Sequence, residues 1–502
     1  MSVGGWVLVL GFTTLVRLLA FEGYAHTWDG CEFVWAVSQG YLPHGPYIAY
    51  LWAGLALARM MPADVALSVL SFVSGIIAAL ILGLLVRRRE ASDLAGMVAA
   101  GLFAAMPGSV EFSATQEVYA LLIACLLGTA LLAGRAASLP GVIGAGLLFG
   151  AAVATHDAAL FVAPAIGLEL IGAVTGVAAK FRRLVAFGGA VLVVPAAAVA
   201  WVLRVIPTGP PAEGATTLSA VIRGIAPVPL SEGQVAGLAD AHRSLVGIAL
   251  SAGWPVGLLV GVWIAAAVFL AVRRPSSAAF WGLWAAPYLA YELAIGQNLD
   301  HGLYVPFVLP SLAAMTASAA CLVARPRGDE RGTLRVVRYA AVTAMLALLG
   351  ANSTTAALAV GGPAPSRAAY LATPLLRALR RVQAAAPPDA YVVQPPRVWN
   401  VNLAPAYGGR RPIILEDGRW EVFVGQPWAP LAPASFLPLD VRTLRRMVEA
   451  GQPVLSLAPD PFPPIAAAPG EAPLVWVEET LGDGTIWRLR LGAARPAGAP
   501  AG

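Results

Sequence analysis

Eleven long apolar runs, punctuated by short clusters of arginine, fill the first 360 residues of this 502-residue chain. Hydrophobic residues make up 58% of the sequence and charged residues only 12%, against roughly 25% charged in an ordinary soluble domain. That is too little charge to clothe a soluble core of this size, so much of the surface must face lipid. The balance excludes a soluble globular enzyme, a disordered chain and a fibrous repeat. Of the 33 basic residues, all but Lys180 are arginine, and they fall between apolar runs. This pattern needs no nucleic-acid site. Cys31, Cys125 and Cys321 are too few and too scattered for a disulfide framework or a zinc spacing.

The runs predict spans over about 3–22, 63–86, 94–107, 118–134, 140–155, 158–177, 184–205, 245–272, 278–296, 303–324 and 336–359. A twelfth apolar stretch, 47–61, is decided by the arginines. If it does not span, the inner loops hold Arg87, Arg88, Arg89, Arg135, Lys180, Arg182, Arg183, Arg273, Arg274, Arg325, Arg327, Arg331, Arg335 and Arg338. The outer loops of this part then hold only Arg59, Arg223 and Arg243. Fourteen cations inside against three outside is the asymmetry of cytoplasmic loops. Counting 47–61 as a span reverses it, so this stretch is predicted to be a helix lying in the outer interface or re-entering it. The N-terminus is expected in the cytoplasm. The first span has no basic leader and no A-x-A site, so it reads as a retained anchor. The preference for Arg over Lys and the abundance of Ala point to a GC-rich bacterial genome, hence to the cytoplasmic (inner) membrane.

Residues 1–360 thus form a helical membrane module whose first outer loop is 23–62. Past residue 360, charge and proline rise and the apolar runs shorten. Residues 361–492 are expected to be a small extracytoplasmic α/β domain, and 493–502 a disordered Ala/Pro/Gly tail. In it, Ser366 is placed to cap a helix running to about Ala386, and Asp440 one running through Glu449. Tyr391–Val393 and Ile413–Glu416 read as strands. Leu474–Val477 and Thr485–Leu491 flank Gly482-Asp483-Gly484, a hairpin signal.

The remaining polar residues sort by side. Asp29, Glu32 and His44 lie in the first outer loop, Glu111 and Glu117 between spans 3 and 4, His156 and Asp157 between spans 5 and 6, and Asp300 and His301 between spans 9 and 10. All four turns face outward, although the topology was set by arginines alone. Ionisable groups at membrane depth are costly and mark function. Asp29 and Glu32 open a short helix reaching about Gln39, and their i, i+3 spacing puts both carboxylates on one face. Such a pair suits a general base or a divalent-cation ligand. It equally suits a capping box, with Asp29 as the N-cap. Glu117 can serve as a charge near a helix N-terminus, Asp157 as a cap, and either histidine as an interfacial residue. Arg17 and Arg204, at the outer ends of spans 1 and 7, and the His242-Arg243 pair are candidates to hold a phosphate, or to snorkel. A divalent metal stays open, without a supporting H-x-x-x-H or H-x-x-E spacing.

These motifs resemble the GT-C superfamily of integral-membrane glycosyltransferases, and within it the protein O-mannosyltransferase-like glycosyltransferase family 117. That family's Asp-x-Gly-Glu-Phe-like element reads here Asp29-Gly30-Cys31-Glu32-Phe33. Its His-Pro-Pro-Gly-Tyr-Pro element is altered to Pro43-His44-Gly45-Pro46-Tyr47. Its Glu-x-Tyr matches Glu117-Val118-Tyr119, and its histidine before span 6 matches His156. The likeness covers about residues 1–160 by motif and the rest by architecture. It implies an inverting transfer of a mannose-like sugar from a polyprenyl-phosphate donor to a protein or envelope-glycan acceptor at the outer face. Asp29 would be the base, with Glu32 and His44 positioning it. Tyr47, Glu117, Tyr119, Asp157 and Asp300 would line the substrate site. His156, His301 and the outer arginines would offset charge on the leaving phosphate. A transporter or flippase of lipid-linked sugars, and a non-catalytic membrane scaffold, are the competing readings. Convergence of Asp29, Glu117, His156 and His301 in one cavity separates them from the enzyme.

The topology is testable directly. A reporter fused after residue 90 or 328 is expected to read cytoplasmic, and one after residue 230 or 400 external. An external reading at residue 90 would overturn the arrangement.

Overall fold

The computed structural model describes residues 3–26, 28–39, 47–135, 138–205, 267–268, 270–272, 274–295, 366–394, 403–416, 419–423, 436–458, 471–482 and 484–492. The predicted spans 8, 10 and 11 fall wholly or largely outside them.

The membrane part is a bundle built in chain order. Its helices are α1 (Val3–Ala20), α2 (Trp28–Gln39), α3 (Ile48–Ala58), α4 (Ala63–Glu90), α5 (Asp93–Ala105), α6 (Pro107–Ala114), α7 (Tyr119–Arg135), α8 (Leu139–Thr155), α9 (Ala163–Gly172), α10 (Val177–Val205) and α11 (Pro275–Ile295). Among the described residues, Ala63–Glu90 and Val177–Trp201 are long and apolar enough to cross a membrane unaided. The first outer loop carries two helices, α2 and α3, as the sequence predicts. The sixth predicted span is not one helix. A 3₁₀ turn over Asp157–Val162 precedes the short α9, whose Pro164 lies in its first turn, where a missing N–H costs nothing. Helix α6, not anticipated, starts at Pro107 and folds over the outer end of α1. Helices α4 and α5 approach so closely that a Cβ on Gly83 would lie 2.7 Å from the Gly96 carbonyl oxygen. Only glycine allows that contact.

One end of the bundle is tied by ion pairs. Arg88 reaches the Glu169 carboxylate at 3.3 Å and Arg89 pairs with its other oxygen. Arg274 lies 3.4 Å from Glu90, which also accepts a hydrogen bond from Ser277 at 2.9 Å. Arg89 further sits 4.1 Å over the Phe280 ring. Arg88 and Arg183 donate to the last carbonyls of α7, at Leu131 (2.7 Å) and Ala133 (3.1 Å). Cations are favourable at a helix C-terminus. This is the end that the arginine count assigns to the cytoplasm.

The C-terminal part contains α12 (Arg367–Leu371), α13 (Pro374–Ala385), α14 (Leu403–Gly408) and α15 (Val441–Glu449). Its strands are β1 (Tyr391–Val393), β2 (Arg411–Glu416), β3 (Arg419–Phe423), β4 (Phe436–Pro438), β5 (Val454–Ser456), β6 (Leu474–Leu481) and β7 (Gly484–Leu491). They form one sheet in the order β4-β3-β2-β1-β5-β7-β6, with β1 parallel to both β2 and β5 and the other pairs antiparallel. Val392, Leu455 and Ile486 join a core continuous with α13, α14 and the membrane helices. Tyr391, Val393 and Val454 face the opposite way, against Leu444 and Met447 of α15. That alternation is the strand period of two. Ser366 and Asp440 cap as predicted, accepting from Ala369 N at 3.2 Å and Thr443 N at 2.6 Å. The Ser366 helix stops early, because Pro374 forces Thr373 into extended backbone and a new helix begins there.

At the opposite end, Glu111 on α6 is near the Glu22–His26 pair (2.8 Å). Burial raises the Glu111 carboxyl from 4.5 to about 7, with Glu22 adding to the rise and the His26 charge opposing it. Its proton is therefore held more tightly in the folded than in the unfolded chain. The stability linked to it is fully present below the ordinary value and lost as pH rises through about 7. Glu111→Gln is expected to melt like wild type near pH 4.5 and to be more stable at pH 8, by on the order of 2 kcal/mol. Detergent-solubilised melting curves at the two values check this; equal melting at pH 8 would contradict it.

Candidate active site

Tyr47 is the centre of the outer site. It precedes α3, and its ring meets Phe33 of α2 edge-on at 5.1 Å and His156 at 5.7 Å. His156 also lies 5.6 Å from Tyr119, the first residue of α7. Burial pushes the Tyr47 hydroxyl well above its usual range, and the charges of Asp29, Glu32, Glu117 and Asp157 push it further. Four carboxylates, from α2, the turn before α7 and the turn after α8, thus lie close enough for their charges to act on one phenol. Seven of the sequence-derived residues are brought together here: Asp29, Glu32, Tyr47, Glu117, Tyr119, His156 and Asp157.

Each is positioned by identifiable local structure. Helix α2 begins at Trp28, so Asp29 sits inside the first turn rather than at the cap. Asp29 is partly exposed, whereas Glu32 one turn later is buried. Glu117 is buried, and its carbonyl accepts from Ser71 Oγ at 3.1 Å; that hydroxyl in turn lies 3.3 Å from the Tyr50 hydroxyl. Next to it, Gln116 Nε2 donates to the Tyr24 carbonyl at 2.9 Å and to Ser68. The side chain that caps the 3₁₀ turn is His156, not Asp157. Its Nδ1 lies 3.0 Å from the Ala158 N–H and 2.8 Å from the Asp157 carboxylate. One nitrogen cannot accept from the first and donate to the second at once. With Nδ1 bare the ring caps the turn, and with a hydrogen on Nδ1 it donates to Asp157. The hydrogen bond to His156 holds the Asp157 carboxyl below its usual range, against burial, which raises it.

The proposed phosphate ligands are placed less uniformly. Arg204 is exposed in the last turn of α10, one turn past Trp201, whose ring meets Trp52 of α3 at 5.9 Å. Arg17 does not line the outer surface. It is fully enclosed beneath α6, donating to Ser109 Oγ at 2.8 Å and to the Thr13 carbonyl at 3.3 Å. Gly75 leaves room for it, since a Cβ there would collide with Ser113 and with Arg17 Nε. His44, His242, Arg243, Asp300 and His301 lie outside the described residues. Among the described residues no three His, Cys, Asp or Glu side chains gather as metal ligands do.

Sequence reasoning missed Asp64, Gln116, Tyr370 and Tyr407. Asp64 stands alone as the acid in the first turn of the apolar α4, and that isolation was the available signal. The tyrosines gave none.

The sequence matches no protein-family model and no curated protein. The fold is similar to that of ArnT from Cupriavidus metallidurans. The apo crystal structure of that protein aligns with a TM-score of 0.57 over 91% of this chain and 93% of its own, at 12% identity. Its structure bound to undecaprenyl phosphate aligns with a TM-score of 0.57 over 99% and 100%, at 11% identity. The Archaeoglobus fulgidus oligosaccharyltransferase, crystallised with Zn and sulfate, aligns at 0.47 over 80% and 62%, at 14% identity. At these identities the likeness is one of fold. The chain has the fold seen in that ArnT, a helical bundle with a small C-terminal sheet.

Proposed function

We propose that this protein transfers a sugar from a polyprenyl-phosphate donor to an acceptor at the outer face of the membrane. The observation that carries the reading is the contact of Tyr47 with Phe33 and His156, and of His156 with Tyr119 and Asp157, near enough to Asp29, Glu32 and Glu117 for their charges to act on Tyr47, in a fold shared with a protein solved with undecaprenyl phosphate. A lipid-tethered donor keeps its tail in the bilayer and its sugar phosphate at the interface. A site at the outer ends of the helices is where such a donor reaches an acceptor.

In the proposed reaction, an acceptor oxygen attacks the anomeric carbon. The bond from that carbon to the phosphate oxygen breaks, and its electron pair leaves on the polyprenyl phosphate. Asp29 takes the acceptor's proton, and one such carboxylate suffices for an inverting displacement. Glu32, buried one turn away on the same face, orients Asp29. Tyr47, Tyr119 and Glu117 shape the sugar site. A protonated His156, with His301 and the exposed Arg204 or the His242-Arg243 pair, would offset charge growing on the phosphate. Arg17, enclosed beneath α6, would act on this site only through the packing of that helix. A mannose-like sugar and a protein or envelope-glycan acceptor are the finer reading, resting on the motif resemblance.

A lipid-linked sugar transporter needs an inner gate that opens. Here Arg88, Arg89, Arg274, Glu90 and Glu169 tie α4, α9 and α11 together at the inner end, and Glu169 is taken up by that role. This favours the enzyme over the transporter.

The test is single-turnover transfer from labelled undecaprenyl-phosphate sugars into an envelope extract, with folding matched by thermal melting. Asp29→Asn keeps the shape of the side chain but loses its basicity. It is expected to slow transfer by about 10²–10⁴-fold with donor binding unchanged, and Glu32→Gln to cost less. Transfer by Asp29→Asn within a few-fold of wild type would reject Asp29 as the base.

A further inference from the structure

We infer that Arg367, Tyr370 and Tyr407 of the C-terminal part are positioning residues for the reaction, because they clamp the backbone leading into the carboxylate-bearing helix α2. This rests on the transfer reading above, and assigns the C-terminal part a role in the site itself.

The segment Tyr24–Ala25 lies three residues before α2. Its Ala25 amide donates to the Tyr407 hydroxyl at 2.8 Å, and that hydroxyl lies 3.2 Å from the Ala25 carbonyl. Tyr370 donates to the same carbonyl at 3.2 Å, and its ring stacks on Tyr24 at 4.1 Å. Both polar groups of a buried residue with no regular secondary structure are thus met by side chains more than 340 positions away. From the other side, Gln116 holds the Tyr24 carbonyl.

The clamp is anchored by an ion pair. Arg367 grips both oxygens of Asp64 at 2.9 and 3.0 Å, in the fork geometry that arginine alone offers. The Asp64 side chain is only 4% exposed, so the carboxylate depends on this partner. Burial first, then the charges of Asp64 and Cys31, push the Tyr407 hydroxyl up. Asp64, Tyr407 and Cys31 of α2 therefore form one neighbourhood. The two faces of α2 divide the work: Cys31 meets the C-terminal tyrosines, and Asp29 and Glu32 meet Tyr47. Loosening the first face would let the second drift, and a misplacement of about 1 Å can cost about 10²-fold in rate.

The test uses the full chain in detergent, with Tyr407→Phe, Arg367→Gln and Arg367→Lys. Amide hydrogen exchange over residues 28–39 is expected to rise about five- to tenfold in the first two, with exchange in β1–β7 unchanged. Arg367→Lys, keeping the charge, should recover part of the ordering. With labelled undecaprenyl-phosphate sugar and envelope extract, turnover is expected to fall about tenfold or more, with the donor KM within about twofold. Wild-type exchange over 28–39 in both Tyr407→Phe and Arg367→Gln would overturn the inference. So would equal loosening of α2 and the sheet, which marks a general support of the fold, or a looser α2 with undiminished turnover. Absence of transfer by wild type would instead reject the transfer reading, and the exchange measurement would still judge the clamp.

Discussion

A charge buried at membrane depth must find a partner or a wet cavity, and the arrangement of this protein follows from that constraint. At the inner end the solution is pairing: Arg88 and Arg89 share Glu169, and Arg274 meets Glu90. At the other end the charges of Asp29, Glu32, Glu117 and Asp157 bear on Tyr47, and Asp157 is paired with His156 at 2.8 Å. Like charges brought together are mutually destabilising.

Much of this was legible because it rests on local rules. Helix α2 runs over Trp28–Gln39 as the sequence indicates, and the i, i+3 spacing of Asp29 and Glu32 follows from it. Gly482, at φ 63°, makes the turn between β6 and β7 that Gly482-Asp483-Gly484 announces. Glu117, His156 and Asp157, which the sequence assigns to turns on one side, do lie together near Tyr47. Failures came where a single residue or a distant partner decides. Pro374 and the 3₁₀ turn after His156 broke helices that periodicity ran through. Arg17 stands in the last turn of α1, where a surface cation was expected, but α6 folds over it and encloses it. The pairs Arg367–Asp64 and Tyr407–Ala25 join residues hundreds of positions apart, and no window of sequence contains both members.

The connection between those long-range pairs and α2 changes how the C-terminal part is understood. Its sheet is not an independent module hung from the last span. Leu376, Leu379, Val382 and Tyr407 share a continuous core with Phe33, Val34 and Val37 of α2. The apolar surface so buried stabilises the contact without direction, while the tyrosine hydroxyls and the Arg367 fork fix its register. Nonpolar packing and a few oriented polar groups together hold the site carboxylates in one geometry.

The central claim, that the residues around Tyr47 handle the head of a lipid-linked sugar, is tested most directly by mapping where such a lipid binds. A photoreactive undecaprenyl-phosphate sugar, cross-linked to the purified protein and located by peptide sequencing, should mark residues 28–58, 117–119 and 156–157. Labelling confined to the inner end, around Arg88 and Glu169, or labelling undiminished by excess unreactive lipid, would contradict it.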